Sequence, residues 1–292
     1  MTMAVPPSQF YQSAIWAILT AISFAIMVTA VHYMDGKFDA FQIVFFRAVV
    51  GLFMIVPLVF RFGIGTLRTT KMPLHIIRTL FGLLAMATLY YAVAVKPLAE
   101  VISLTFLIPI FVTIASSIVL REVVGLHRWV ATIIGFAGAL IIIRPGFVAF
   151  DFPTVLVLLS SALYAGAWSS VKILTRTDSA SVTIFWMNVL MLPLTLIPLI
   201  FVWVTPNRSD YIPILVMALF GWFAHFCQAQ AFKKADASAL MPFDFLRLPV
   251  AALFGYFLFS ETLDAWSWGG AVIIFTASYY TVRREKLDAR VC

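Results

Sequence analysis

Charge is what this chain has least of. Only 11% of its 292 residues are Asp, Glu, Lys or Arg, against about 25% in an ordinary soluble domain, while 63% are hydrophobic. No water-soluble fold hides that much apolar surface, so the natural solvent of this chain is lipid. Cysteine is nearly missing as well. Cys227 lies in an apolar run and Cys292 is the last residue, which excludes a disulfide framework and a zinc site. The four histidines, His32, His75, His127 and His225, show no metal-ligand spacing, and no His-Glu-x-x-His occurs. No nucleotide-binding fingerprint is present, and the gaps between apolar runs leave no room for an ATPase domain. These absences point away from an enzyme, a metal and a cofactor. The net charge of +7 is spread over short gaps and forms no single patch, which argues against nucleic acid. Met1 to Gln12 holds no Lys or Arg, so the first apolar run reads as a retained span and not as a signal peptide.

What the chain has in abundance is apolar runs long enough to cross a bilayer, roughly 20 residues each. Ten can be marked, at 13–32, 41–60, 74–95, 99–120, 129–143, 154–174, 181–202, 212–231, 237–259 and 265–282. They lack period-two alternation, so they are helices and not barrel strands. The fold class is all-α integral membrane. Basic residues set the direction. With the N-terminus in the cytoplasm, the inside gaps and ends hold thirteen and the outside gaps four, Lys37, Lys96, Arg144 and Arg208. Both termini are therefore expected in the cytoplasm.

The two halves share a register. Leu80-Phe81-Gly82 returns as Leu219-Phe220-Gly221, and Ala92, Glu122, Trp129 and Arg144 return as Ala231, Glu261, Trp268 and Arg283, each 139 residues on. Asp39 and Asp178 fall on the same shift. The chain thus divides into 1–146 with spans one to five and 147–292 with spans six to ten. Five is odd, so the second half enters the membrane inverted. Inverted repeats are a plan of secondary transporters, with the substrate near the midplane where the halves meet.

Two inverted five-helix repeats, an acidic residue closing the fourth and ninth spans (Glu122, Glu261) and the Gly-rich Gly135-Phe136-Ala137-Gly138 resemble the EamA-type branch of the drug/metabolite transporter (DMT) superfamily. The resemblance covers nearly the whole chain, and within the family it leans toward YddG-type exporters of aromatic amino acids. The tenth span departs from the pattern, with Gly269-Gly270 early and Phe275-Thr276-Ala277 in place of later glycines. The resemblance implies alternating access through a central cavity ringed by the third, fourth, eighth and ninth spans. Its cargo would be small metabolites, neutral and aromatic amino acids first. The alternatives are another metabolite class (sugar phosphate, nucleotide or drug) or a channel or packing subunit. The partners implied are a small-molecule substrate and the bilayer, with a homo-oligomer left open.

Ionisable residues inside spans are costly and mark function or fixed pairing. Arg78, Asp244 and Arg247 fall in the cytoplasmic half and form either a gate or polar cluster, or a salt-bridge network that staples the bundle. His225 and Gln228 on the eighth span are either pocket donors or packing residues. Tyr90, Tyr91, Tyr164 and Trp168 each carry a polar atom at membrane depth and are candidate pocket walls. Gly82, Pro109, Gly221 and Pro249, with Pro242, are candidate hinges or static kinks. Ala131, Gly135 and Ala139 share one face of the fifth span, an interface between repeats or protomers, or ordinary packing. In a background lacking Cys227 and Cys292, a cysteine added at either terminus is expected to resist an impermeant thiol reagent in right-side-out vesicles. Labelling of either terminus from outside would reverse the assigned direction.

Overall fold

The computed structural model describes residues 7–34, 37–95, 104–143, 151–259 and 265–291. Among these, the regular elements are all helices. The first half holds α1 (Pro7–Tyr33), α2 (Ala40–Phe62), α3 (Met72–Val95), α4 (Ile108–Ile118) and α5 (Leu126–Ile143). The second holds α6 (Phe152–Leu174), α7 (Ala180–Val202), α8 (Tyr211–Lys234), α9 (Ala237–Asp244), α10 (Arg247–Phe259) and α11 (Ala265–Val291). Seven described segments are long and apolar enough to cross a membrane, with α9 and α10 together making one of them. Two shorter apolar helices, α4 and α5, and the apolar first part of α11 complete the ten spans. Ten is even, so both termini lie on one face of the bundle, the terminal face.

Helix starts follow local chemistry. Asp39 accepts from the Phe41 N–H, Asp151 from the Thr154 N–H and Ser179 from the Val182 N–H, so side chains replace water at the first turns of α2, α6 and α7. The most extensive helix contacts all run between the halves: α1 with α8, α3 with α6, α5 with α11 and α2 with α7. Exchanging the halves turns the first pair into the second and leaves the other two unchanged. Such a pattern is that of a pseudo-twofold axis in an inverted repeat.

The fourth and ninth spans are not continuous helices. The chain turns at Phe106–Leu107 before α4 and again at Phe245–Leu246 between α9 and α10, and these breaks lie on the 139-residue shift. The expected proline kinks resolve differently. Pro109 and Pro249 stand in the first turn of α4 and of α10, where a missing N–H would have no helical partner anyway. They start the second half-helix and do not bend a continuous one; Pro242 lies inside α9. The Phe106 and Phe245 rings stack 5.9 Å apart at 18°, fully inside the bundle.

The small-residue face of α5 holds this crossing in place. Ala131 and Ala139 are fully buried, and a Cβ on Gly135 would lie 2.6 Å from the Phe245 ring. On the neighbouring face, a Cβ on Gly138 would lie 3.0 Å from the Gly270 carbonyl of α11. The face is therefore a contact between the halves. Gly135→Ala is expected to lower thermal stability in detergent by about 1–3 kcal/mol, because a well-packed ring must shift. Gly269→Ala, with nothing within 4 Å, should cost nothing. Equal melting of the two variants would remove the close approach as the reason for this glycine.

Candidate functional site

A narrow cleft, with about 20 Å³ open to the centre of a water molecule, lies between α1, α6, α8 and α9. Its walls come from residues that the fold holds at the break in the ninth span. Asp244 is the last residue of α9, and its side chain is 6% exposed. Across from it stand Trp168 of α6, Gln228 and Phe232 of α8, and Thr20 of α1. Small neighbours, Ala17 and Ala231, leave the space that these larger groups surround. The Trp168 and Phe232 rings meet edge to face at 6.5 Å. Arg247 Nη2 lies 3.4 Å from Asp244 Oδ2, yet that oxygen has no hydrogen-bond partner. The Arg247 guanidinium instead sits 4.7 Å over the Phe106 ring. The cleft thus joins a flat apolar wall to a carboxylate with an unused acceptor.

Beside the cleft lies a basic region. Arg47 runs across Gly221, where a Cβ would meet its Cδ at 2.7 Å. Arg78 is 5% exposed, and both arginines are close charge neighbours of His225. The His225 ring stands edge-on to Phe24 at 5.3 Å, with Gln228 beside it.

A second polar group ties the two halves together at the terminal face. The Glu122 carboxylate accepts from the backbone N–H groups of Ala237 and Ser238 at 2.9 and 3.1 Å and from the Ser238 hydroxyl at 2.8 Å. It therefore caps the start of α9 from the other half of the chain, an arrangement favoured by the helix dipole. Arg128 pairs with Asp236 at 3.0 Å and donates to Ser238. The Lys172 ammonium donates to the carbonyls of Phe232 and Ala235 at the end of α8. Nearby, Asp178 accepts from Thr69 at 2.6 Å and meets His75 Nε2 at 2.8 Å. Burial pushes the Asp178 carboxyl up, but hydrogen bonds from Thr69, His75 and Thr177 outweigh it, holding the group below the usual carboxylate range.

The residues singled out in the sequence divide among these places. Trp168, Gln228 and Asp244 meet at the cleft, with His225 adjoining. Tyr164 is half-buried between two apolar clusters close by. Arg78 does not join Asp244 and Arg247, as expected of one gate, but belongs with Arg47 and His225. Tyr91 lines a separate cleft with Asp39 and Met86, toward the face opposite the termini, and is half exposed. The Tyr90 side chain and Glu261 lie outside the described residues. α3 and α8 run unbroken through Gly82 and Gly221. Gly221 serves Arg47, and a Cβ on Gly82 would meet only Met191, at 3.8 Å. The closing group of Glu122, Arg128, Lys172 and Asp236 was not foreseen as a unit. Lys172 carried the one available signal, since it falls inside the apolar run 154–174.

A family model described as the EamA-like transporter family matches residues 12–144 and 152–283. The chain belongs to the EamA-like transporter family. Similar proteins share nearly its whole length. An S-adenosylmethionine uptake transporter of Rickettsia prowazekii (strain Madrid E) is 25% identical, over 93% of this chain and 92% of its own. A riboflavin transporter of Brucella anthropi is 31% identical, over 85% and 89%. A pseudopaline exporter of Pseudomonas aeruginosa is 25% identical, over 92% and 95%. A solved crystal structure superposes with a TM-score of 0.78, over 96% of this chain and 99% of that one, at 17% identity, which shows the fold alone.

In this transporter the Glu122 cap is expected to hold the terminal face shut. Glu122→Gln should lower the melting temperature by several degrees, the effect of weakening a charge-assisted cap worth about 1–2 kcal/mol. It should also speed thiol labelling of a cysteine placed at the buried Ala239. Unchanged labelling would show that Glu122 fastens α9 without closing the face.

Proposed function

We propose that the protein is a secondary transporter that moves a small amphipathic metabolite, one with a flat ring and ionised groups, across the inner membrane of a bacterium. Both termini are cytoplasmic in this reading, and 1–146 and 147–292 are the two units that rock about the site by alternating access. One observation carries it: a single cleft sets the Trp168 ring and the Asp244 carboxylate against the same space at the broken ninth span. A ring stacks on the first, and an ammonium or other cation meets the second. Aromatic amino acids are the smallest molecules with that shape. S-Adenosylmethionine, named for one relative, has it too, with an adenine ring and positive charge in one molecule. Riboflavin, named for another, shares the flat ring. The closure around Glu122, Arg128 and Lys172 supplies one of the two gates that alternating access requires.

Purified protein in liposomes, offered labelled tryptophan, methionine, S-adenosylmethionine, riboflavin and a sugar phosphate, is expected to carry at least one ring-bearing cationic or zwitterionic member. Trp168→Ala should reduce its flux about three- to tenfold relative to threonine, the size of an aromatic contact. Asp244→Asn should reduce flux more than it reduces melting temperature. Transport of the sugar phosphate alone would overturn this reading.

A further inference from the structure

We infer that the carrier also holds an anionic group of its substrate, a carboxylate or phosphate, on a set of donors contributed by α3, α7 and α8. The inference rests on the transport reading above and adds a second charge of opposite sign to the cargo.

Four side-chain nitrogens in this region are buried and have no hydrogen-bond partner: Arg78 Nε, Asn188 Nδ2, Trp222 Nε1 and His225 Nδ1. Arg78 and Asn188 are 5% and 3% exposed. The fold brings them to one depth. α3 and α7 both leave the terminal face in the same direction, and they meet where Gly82 adjoins Met191. Arg78 and Asn188 each lie about one turn nearer the terminal face than that meeting point. Trp222 and His225 are three apart on α8 and share a helix face. Trp222 is fixed by stacking on Phe226 at 5.5 Å. Asn188 is pressed onto Gly51 of α2, so its amide has little freedom to turn away.

Charge points the same way. The charged neighbours acting on His225 are Arg47 and Arg78, and the one acting on Arg78 is Arg47. His75, one turn before Arg78 on α3, is taken up by Asp178 at 2.8 Å, and among the described residues no ion pair joins Arg78 itself to a carboxylate. A buried cation without a counter-ion is costly, and every unused donor adds to that cost. A structural network would mix donors and acceptors, and here Arg78, Asn188 and Trp222 offer donors, with His225 Nδ1 a fourth in the tautomer that carries its proton there. Its complement is a group made of acceptors alone. Carboxylate and phosphate oxygens are such groups, and the planar guanidinium suits both. A sugar hydroxyl fits less well, because it brings a donor with each acceptor.

The set adjoins the cleft. Gln228, one turn beyond His225 on α8, also lines the space next to Asp244. His225 at the anion-holding end and Gln228 at the cleft are therefore about one helical turn apart, roughly 5 Å along α8. A ring-bearing zwitterion spans that interval.

Equilibrium binding to the purified full-length protein in detergent tests this without any flux. The probes are N-acetyltryptophan and its amide, alike except for carboxylate against carboxamide. The acid is expected to bind at least about tenfold more tightly. Arg78→Gln should bring the acid down to the level of the amide, leaving amide affinity within about twofold and the ligand-free melting temperature unchanged or raised. Trp222→Phe, which removes only the N–H, should weaken the acid about three- to fivefold and the amide not at all. Equal affinity of acid and amide overturns the inference. So does an Arg78→Gln protein that melts earlier while keeping the preference for the acid, since that is a structural arginine. Loss of acid binding in phosphatidylglycerol nanodiscs but not in phosphatidylcholine ones assigns the donors to a lipid headgroup and overturns it too. Competition by inorganic phosphate supports it. A protein that binds the acid yet moves nothing in liposomes overturns the transport reading alone.

Discussion

A helix broken inside a bilayer frees backbone groups that lipid cannot satisfy, and this structure depends on housing two such breaks. They are housed against each other. Phe106 and Phe245, one at each break, stack at the centre of the bundle, and turn bonds from Leu107 to the Leu104 carbonyl and from Leu246 to the Phe243 carbonyl recover part of what the helices lose. Gly135 of α5 recedes to admit the Phe245 ring, and Gly138 brings α11 close on the neighbouring side. The halves are thus locked together where they are weakest alone. That same break ends α9 at Asp244, which is why a carboxylate can face a cleft at membrane depth at all, and starts α10 at Arg247, whose guanidinium covers the Phe106 ring.

Much of this was legible in the sequence because lipid leaves few choices. Runs of apolar residues longer than a bilayer is thick have one structural outcome, and the 139-residue shift carried the duplication down to single positions. It even joins Phe106 to Phe245, although the prolines beside them drew attention to kinking instead of to where a new helix begins. Helix partners were harder to read. The spans are apolar on nearly every side, so no stripe marks which face meets which neighbour. Depth follows from counting residues and direction about the helix axis does not, which is why Arg78 was grouped with Asp244 and Arg247. Arg128 and Lys172 mark direction, and although Lys172 falls inside an apolar run, nothing in the sequence says which carbonyls or carboxylates the two reach. Long basic side chains also reach back along a helix, so Lys172 can end on carbonyls of α8 while its Cα stands near the end of α6.

Duplication predicts two equivalent ends, and the sequence breaks that equivalence on one of them. Glu122 has its counterpart in Glu261, but the other closing residues do not. On the same shift, Arg128 corresponds to Ser267, Lys172 to Tyr33, Asp236 to Pro97 and Ser238 to Ala99. The ion pair and the lysine that bind the terminal face together have no charged equivalents at the opposite face. The opposite face carries a different ion pair, Lys37 with Asp210, which joins the segment before α2 to the start of α8. Ion pairs therefore tie the halves at both ends, through different residues. A molecule bound between Trp168, Asp244 and the donors near Arg78 touches α6, α9 and α3, elements of both halves. Its binding energy is shared by the two halves and absent from the empty protein, so it can shift the balance between their arrangements.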